Sequence, residues 1–195
     1  MKGKLSEVIV VTGTPGTGKT TFSKELAKSI GAGYLNLTQY VSKHKLYSGI
    51  DRTRRTKIVN MAKTRTSLRK ELAGMRGTLV VDSHIPEGII PKQMVRWVFV
   101  LRCHPTVLEG RLRGKKWKPT KVRENVLAEI VDSCLASAVK YYGWRKVIQL
   151  DTSSGDMRRC VALAQRSMRG RLARRVSFDW LAKLEKQGLL DRYLK

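Results

Sequence analysis

The residues best suited to chemistry in this sequence form a glycine-rich stretch near the amino terminus. Gly13 and Gly18 begin and end the pattern G-x-x-x-x-G-K-[ST], which Lys19 and Thr20 complete. Without a Cβ, glycines let backbone N–H groups wrap around a phosphate. A lysine and a threonine hydroxyl at these positions reach terminal phosphates and Mg²⁺, respectively. The pattern therefore predicts a polyphosphate site; the alternative is a strand-to-helix turn without a ligand.

This loop must be held between a strand and a helix. Apart from Glu7, residues 7–11 are apolar and β-branched, as in a central parallel strand. Downstream of the loop, Phe22, Leu26 and Ile30 recur at helical spacing. A helix that begins near Gly18 would add its free N–H groups and the positive end of its dipole to the phosphate site.

Asp82 and His84 follow a second apolar run, residues 78–81, which is typical of a buried strand. The carboxyl ends of parallel strands form the crevice in which such sheets bind ligands. Asp82 is therefore expected to hold the water shell of Mg²⁺ or to act as a base toward an attacking group. An ordinary strand-end aspartate is the alternative, and the sequence leaves open which of the two residues would move a proton.

The remaining elements predict one α/β domain with a five-stranded, mostly parallel sheet and helices on both faces. Further strands are expected at residues 34–37, 95–101 and 147–150. Helical structure is expected over residues 38–76, 107–112, 122–142 as one long helix, and 156–195, with a second helix in this last segment starting around Phe178 and Trp180. Pro105 suits the first position of a helix, and His104 before it is interpreted as a cap or a structural group.

Three basic segments are candidates for binding. Residues 38–76 are an insertion where an acceptor would bind, since arginine holds a second phosphate bidentately; the alternative is a solvated basic helix. Residues 113–120 contain Gly114 and Pro119 on either side of a basic stretch, which favours a lid over phosphates or, alternatively, a basic turn between helices. Residues 156–195 form a basic extension that packs on the core or reaches for a partner.

The composition points to a polyanionic partner. The 195 residues contain 40 Lys+Arg against 15 Asp+Glu, a net charge of +25, which favours nucleic acid or a ribonucleoprotein. The alternatives are a basic surface without a partner and contact with anionic lipid, although the apolar runs are too short to span a bilayer. Cys103, Cys134 and Cys160 lack a metal-binding or disulfide pattern, so reduced thiols in a cytoplasmic protein are expected.

Several motifs in order carry a family resemblance. After the loop come VVDSH, LRCHP, RLRGKKW and VRENVLAEIVD. With these motifs the chain resembles the atypical adenylate kinases of archaea and the eukaryotic nucleus, which are P-loop nucleoside-monophosphate kinases that also serve maturation of the small ribosomal subunit. The resemblance covers residues 8–152, with a weaker match at FDWL near the carboxyl terminus. It implies a three-layer P-loop NTPase sandwich with acceptor and lid insertions.

The resemblance also implies roles for individual residues. Those expected to bind ATP are Gly16, Gly18, Lys19, Thr20 and Thr21. Asp82 and His84 occupy the catalytic D-x-H pair, and residues 114–118 correspond to the lid. Lys115 stands where the family usually has arginine and Lys116 where it has glycine, so charge is retained without bidentate clamping. Acidic residues that relatives carry after the second strand are replaced by Thr38 and by residues 52–57, four of which are basic.

Three functions remain open at this point. The first is a monomeric enzyme that transfers the γ-phosphoryl group of ATP, with Mg²⁺, to AMP or another nucleoside monophosphate. The second is an ATP-gated assembly factor that hydrolyses ATP slowly and binds pre-rRNA or a small-subunit ribosomal protein through its basic surface. The third is a small-metabolite kinase that shares the loop but has a different acceptor pocket.

Overall fold

The computed structural model describes residues 7–51, 56–84, 86–170 and 177–194. In chain order the strands are β1 (Glu7–Gly13), β2 (Gly33–Asn36), β3 (Tyr47–Asp51), β4 (Thr56–Val59), β5 (Thr78–Asp82), β6 (Val95–Arg102) and β7 (Val147–Asp151). The α-helices are α1 (Lys19–Ile30), α2 (Leu37–Lys43), α3 (Met61–Gly74), α4 (Pro105–Gly114), α5 (Pro119–Ile130), α6 (Ser133–Tyr142), α7 (Met157–Met168), α8 (Trp180–Lys186) and α9 (Asp191–Leu194).

Five strands form a parallel sheet in the order β2-β5-β1-β6-β7. Side chains of β1 alternate between its two faces, as a strand period of two requires. Val8 and Val10 join a cluster with α3 and α6, whereas Ile9 and Val11 join a second cluster with α1 and α7. The expected three-layer α/β sandwich is therefore confirmed, and the carboxyl end of β1 leads into the glycine-rich loop at one edge of the sheet.

The expectation of a helical segment over residues 38–76 is wrong in its middle. Strands β3 and β4 form an antiparallel hairpin between α2 and α3. The β-branched Ile50, Ile58 and Val59 favour extended backbone, but the alternation is weak because all three are exposed. The basic residues 52–55 lie outside the described part of the chain.

The single long helix expected over residues 122–142 is also wrong, because two helices replace it. α5 ends at Ile130, and Asp132 has a left-handed backbone with φ 55°. Aspartate tolerates this conformation better than most residues, and its carboxylate accepts a hydrogen bond from the buried guanidinium of Arg102. A tertiary ion pair thus accompanies the break, and no periodicity in the sequence reveals it.

The start of α4 follows the sequence prediction. Pro105 is its first residue. His104 occupies the position before it, but its ring contacts the Thr106 hydroxyl at 2.8 Å and meets the Trp180 ring edge-on rather than capping the backbone. His104 is therefore a packing residue at this helix start.

The carboxyl-terminal helices pack on the domain. Trp180 and Leu184 of α8 and Tyr193 of α9 are buried, the latter two in a cluster with α4 and α5. α8 begins at Trp180, as predicted. The basic extension thus contributes to the core, although its residues 171–176 lie outside the described part. In the described ranges, no helix is both long and apolar enough to cross a membrane.

Candidate functional site

The glycine-rich loop has a backbone that only glycine adopts without strain. Gly13, Gly16 and Gly18 have φ values of 140°, 97° and 92°. A Cβ on Gly13 would lie 2.4 Å from the Leu101 carbonyl oxygen, and one on Gly16 would lie 2.8 Å from a methyl group of Leu108. The loop is therefore packed tightly against β6 and α4, and its shape is determined by these neighbours.

The first turn of α1 faces this loop with unused backbone donors. Gly18 is its cap, and no side chain among the described residues makes a capping hydrogen bond there. The first N–H groups of a helix have no partner within the helix, so they and the helix dipole favour an anion. Thr21, the third residue of α1, is exposed. These features make the loop chemically suited to bind phosphate.

Lys19 lies over the loop. Its ammonium donates hydrogen bonds to the carbonyl oxygens of Gly13 at 2.8 Å and Thr14 at 3.1 Å. Burial lowers the pKa of Lys19, and the Asp82 carboxylate opposes this effect by favouring the charged form. The charge of Lys115 also lowers the pKa of Lys19. This residue of the α4–α5 turn therefore lies within electrostatic range of Lys19.

Asp82 and Thr20 are in direct contact. Asp82 ends β5 and is only 3% exposed. Its Oδ2 accepts hydrogen bonds from the Thr20 hydroxyl at 2.7 Å, the Asn36 amide at 2.8 Å and the Tyr34 hydroxyl at 3.4 Å. The structure thus brings together two residues that the sequence predicted as metal ligands.

Sequence reasoning missed Asn36 and Tyr34. Both lie on β2, which pairs with β5 so that Asn36 is the direct neighbour of Asp82. A polar residue at the end of a predicted strand was a usable signal, because carboxyl ends of parallel strands meet at one edge. The strand order that places β2 beside β5 was not available from the sequence.

His84 lies at the mouth of the same crevice, two residues beyond Asp82, and its side chain is exposed. Partial burial lowers the pKa of His84, the charge of Lys19 lowers it further, and Asp82 opposes both. The lowered pKa favours the neutral ring, which can accept or donate a proton.

The donor set at Thr20 and Asp82 fits Mg²⁺. Both side chains present oxygen atoms, and Mg²⁺ is commonly bound by one or two protein oxygens together with waters and substrate phosphates. The described residues include no cluster of three or more His, Cys, Asp or Glu that could bind a metal by itself. The arrangement thus suits a metal that arrives with a polyphosphate.

The segment predicted as a lid is a short connection between two helices. α4 ends at Gly114 and α5 begins at Pro119, and Lys116 between them has φ 57°. Lys115, Lys116 and Lys118 are exposed, while the Lys121 ammonium lies 4.6 Å from the centre of the Trp117 ring. The geometry resembles a basic turn, and movement of this turn over a ligand stays a prediction.

The segment predicted to bind an acceptor contains the hairpin and α3. Its described basic residues are exposed: Lys43, Lys45, Lys57, Lys63, Arg65, Arg69, Lys70 and Arg76. Of these, Arg65 donates through Nε to the Gly88 carbonyl oxygen at 2.5 Å, which ties α3 to the loop after His84. The segment therefore lies beside the crevice.

Sequence reasoning also missed a buried carboxylate behind the loop. Glu129 of α5 accepts hydrogen bonds from Thr14 in the loop and from Arg102 at the end of β6. Its place in an amphipathic helix, where an acid falls among apolar residues, was a signal that could have drawn attention to it.

The chain is similar in sequence to known proteins. The family described as "AAA domain" matches residues 9–132. A protein of Methanocaldococcus jannaschii named "Putative adenylate kinase" is 32% identical over 175 residues, which cover 90% of this chain and 93% of that protein. One of the same name from Saccharolobus solfataricus is 36% identical over 146 residues, 75% of each chain.

Solved structures share the fold at low sequence identity. A shikimate kinase of Acinetobacter baumannii matches with a TM-score of 0.57 and 15% identity over 86% of this chain and 96% of that one. A gluconokinase of Sinorhizobium meliloti matches with a TM-score of 0.53 and 14% identity over the same shares of the two chains. These matches support a P-loop kinase fold. The sequence matches show that the chain belongs to the same family as these archaeal proteins named "Putative adenylate kinase".

Proposed function

We propose that the protein is a nucleoside-monophosphate kinase that transfers the γ-phosphoryl group of ATP to AMP and forms two molecules of ADP. The observation that carries the proposal is the contact of Thr20 with Asp82 beside Lys19, because phosphoryl transfer needs a metal site next to a phosphate cradle. The names of the archaeal relatives support the choice of acceptor.

In the proposed reaction the protein positions the reactants and stabilises charge. The loop N–H groups and Lys19 would bind the β and γ phosphates, with Gly16, Gly18 and Thr21 shaping and extending that cradle. Thr20 and Asp82 would hold Mg²⁺, which neutralises phosphate charge when bound. Such positioning and charge stabilisation account for most of the catalysis in this reaction class.

Asp82 and His84 are the proposed groups for orienting the attacking phosphate. Asp82 is buried and holds three donors, so its role is to fix the metal and its water shell. His84 is exposed and its pKa is lowered, so it is the better placed of the two to exchange a proton with the acceptor. Lys115 is proposed to approach the transferred group from the turn formed by residues 113–120, and residues 38–76 to bind the acceptor.

The test separates transfer from hydrolysis. Purified protein is incubated with Mg·ATP, with and without AMP, and ADP and inorganic phosphate are followed separately. We expect two ADP per AMP consumed and loss of this activity in Lys19→Ala. Lys28→Ala is the matched control, because Lys28 lies exposed in the last turn of the same helix. Release of inorganic phosphate at the same rate with and without AMP would overturn the proposal.

A second candidate is favoured by the charge of the chain. With a net charge of +25, an ATPase that binds rRNA or a ribosomal protein during assembly of the small ribosomal subunit would use the exposed basic residues to contact phosphates. RNA affinity should then fall steeply with salt, whereas AMP affinity in a closed pocket should change little. ATP hydrolysis that RNA accelerates and AMP does not would favour this candidate.

A third candidate, a small-metabolite kinase, is supported only by the shikimate kinase and gluconokinase that share the fold. A panel of nucleotide and metabolite acceptors, each with Mg·ATP, separates it from the first. Phosphorylation of a non-nucleotide acceptor, with AMP inert, would establish it.

A further inference from the structure

The carboxylate of Glu129 joins the glycine-rich loop to the carboxyl-terminal helix α8. Glu129 is 2% exposed. Its Oε2 accepts a hydrogen bond from the Thr14 hydroxyl at 2.5 Å. Its Oε1 accepts from the indole N–H of Trp180 at 3.1 Å and from the Arg102 guanidinium at 2.8 Å. One buried side chain therefore contacts three parts of the chain that are far apart in sequence.

The surrounding contacts hold Glu129 in one orientation. The backbone N–H of Cys103 also donates to Oε1 at 3.0 Å, and Arg102 is held in turn by Gln149 at 2.8 Å and by Asp132. A buried carboxylate with this many charge-assisted partners has little freedom to rotate. The Thr14 hydroxyl is consequently kept at a fixed place relative to Trp180.

A second set of contacts supports the loop from the same side. Gly16 packs against the side chains of Leu108 and Leu112. These two leucines belong to the hydrophobic cluster that Leu184 of α8 and Tyr193 of α9 complete. The apolar contact is independent of the hydrogen bonds of Glu129, and it also connects the loop to the carboxyl-terminal helices.

We infer that Glu129 is a positioning residue for the phosphate loop and that α8, docked through Trp180, is part of the same positioning unit. The inference rests on the proposed function, because it takes the loop to bind ATP. Binding of ATP to the loop and docking of α8 are then linked, and each strengthens the other by the same factor. The FDWL segment thereby supports nucleotide binding without touching the nucleotide.

The first test removes the indole N–H of Trp180 together with part of its buried ring. In Trp180→Phe we expect the Kd for ATP, measured by titration calorimetry without an acceptor, to rise about threefold or more. Trp144→Phe is the matched control, because Trp144 is 49% exposed, and its Kd should equal that of the wild type. A folded Trp180→Phe variant with lowered thermal stability but an unchanged Kd would show a merely structural role and overturn the inference.

The second test follows the link spectroscopically. The indole N–H of Trp180 gives its own NMR signal, and we expect ATP to shift this signal in the wild type but not in Thr14→Val, at ATP concentrations that saturate each protein. The exposed indole of Trp144 serves as the internal reference. Saturating ATP that leaves the Trp180 signal in place would contradict the inference.

Glu129→Gln is the third variant, with Glu124→Gln, exposed on the same helix, as its control. We expect Glu129→Gln to weaken ATP binding about tenfold and Trp180→Phe to add nothing in its background, because residues of one network are not additive. Should Glu129→Gln fail to fold, Trp180→Phe and Thr14→Val still decide the question. Failure of the proposed function gives a different result, because ATP then binds and shifts the NMR signal of Trp180 while AMP is not phosphorylated.

Discussion

The Thr20 hydroxyl donates a 2.7 Å hydrogen bond to the Asp82 carboxylate and so joins two residues that are 62 positions apart. Thr20 belongs to the first turn of α1, and Asp82 ends β5, which pairs with β1. Two elements with polar ends at the same edge of the sheet therefore build one oxygen-rich site.

Asp82→Asn is expected to remove the dependence on Mg²⁺. The substitution keeps the shape of the side chain but removes the charge that would hold the metal. We expect kcat for ADP formation to fall about a hundredfold or more. ATP affinity measured in EDTA should equal that of the wild type, which serves as the control. A variant whose ATP binding still strengthens with Mg²⁺ as in the wild type would contradict the proposed role of Asp82.

The His84 ring is expected to titrate below the ordinary histidine value. Partial desolvation and the Lys19 charge lower the pKa of His84, and Asp82 opposes them. Lys19→Met removes a positive charge and should raise this pKa, whereas Asp82→Asn removes a negative charge and should lower it further. NMR titration of the ring protons measures both directions.

His104 provides the internal control for this titration. Burial and the Lys183 charge lower the pKa of His104, so neither Lys19→Met nor Asp82→Asn should move it.

The direction in which protein stability changes with pH follows from the lowered pKa of His84. The contribution of His84 to stability is complete above the unfolded pKa and declines as the pH falls through the folded pKa. A lower His84 pKa in Lys19→Met together with a higher one in Asp82→Asn would disprove this electrostatic account.

Gly13→Ala is expected to destabilise the fold. The added methyl group would meet the Leu101 carbonyl oxygen at 2.4 Å, and φ is 140°. We expect the free energy of unfolding to fall by about 3 kcal/mol. Gly110→Ala is the matched control, since Gly110 lies in α4 with open space around its Cβ position, and it should gain about 0.5–1 kcal/mol. Urea denaturation of both variants gives the comparison.

Glu109→Gln is expected to weaken docking of α9 in a pH-dependent way. Burial acts to raise the pKa of Glu109, but Tyr193, Arg113 and Arg192 together hold it below its ordinary value of 4.5. The stabilisation is therefore complete above pH 4.5 and is lost as the pH falls through the folded pKa.

The measurement for this variant is urea unfolding at several pH values. At pH 7 we expect Glu109→Gln to lose about 1–2 kcal/mol of stability, and we expect the difference from the wild type to shrink below pH 4.5. Glu124→Gln, exposed on α5, should match the wild type throughout. A loss that is independent of pH would mean that the charge of Glu109 contributes nothing.

The sequence by itself determined the nature of the main sheet and the phosphate loop. Apolar, β-branched runs and a fixed spacing of glycines, lysine and threonine are local properties, so they predict five strands and the loop without knowledge of the fold. Asp82 was also visible, because a polar residue at the end of a buried strand is a local pattern.

Only the tertiary structure decided which elements meet. The hairpin of β3 and β4 was not predicted because its apolar residues are exposed and its charged residues interrupt the alternation of apolar and polar side chains. The break between α5 and α6 accompanies the contact of Asp132 with Arg102. The strand order places Asn36 beside Asp82. The packing of the helices places Glu129 between Thr14 and Trp180, and it accepts a hydrogen bond from each. Contacts between residues distant in sequence depend on the packing of the whole chain, which no local pattern records.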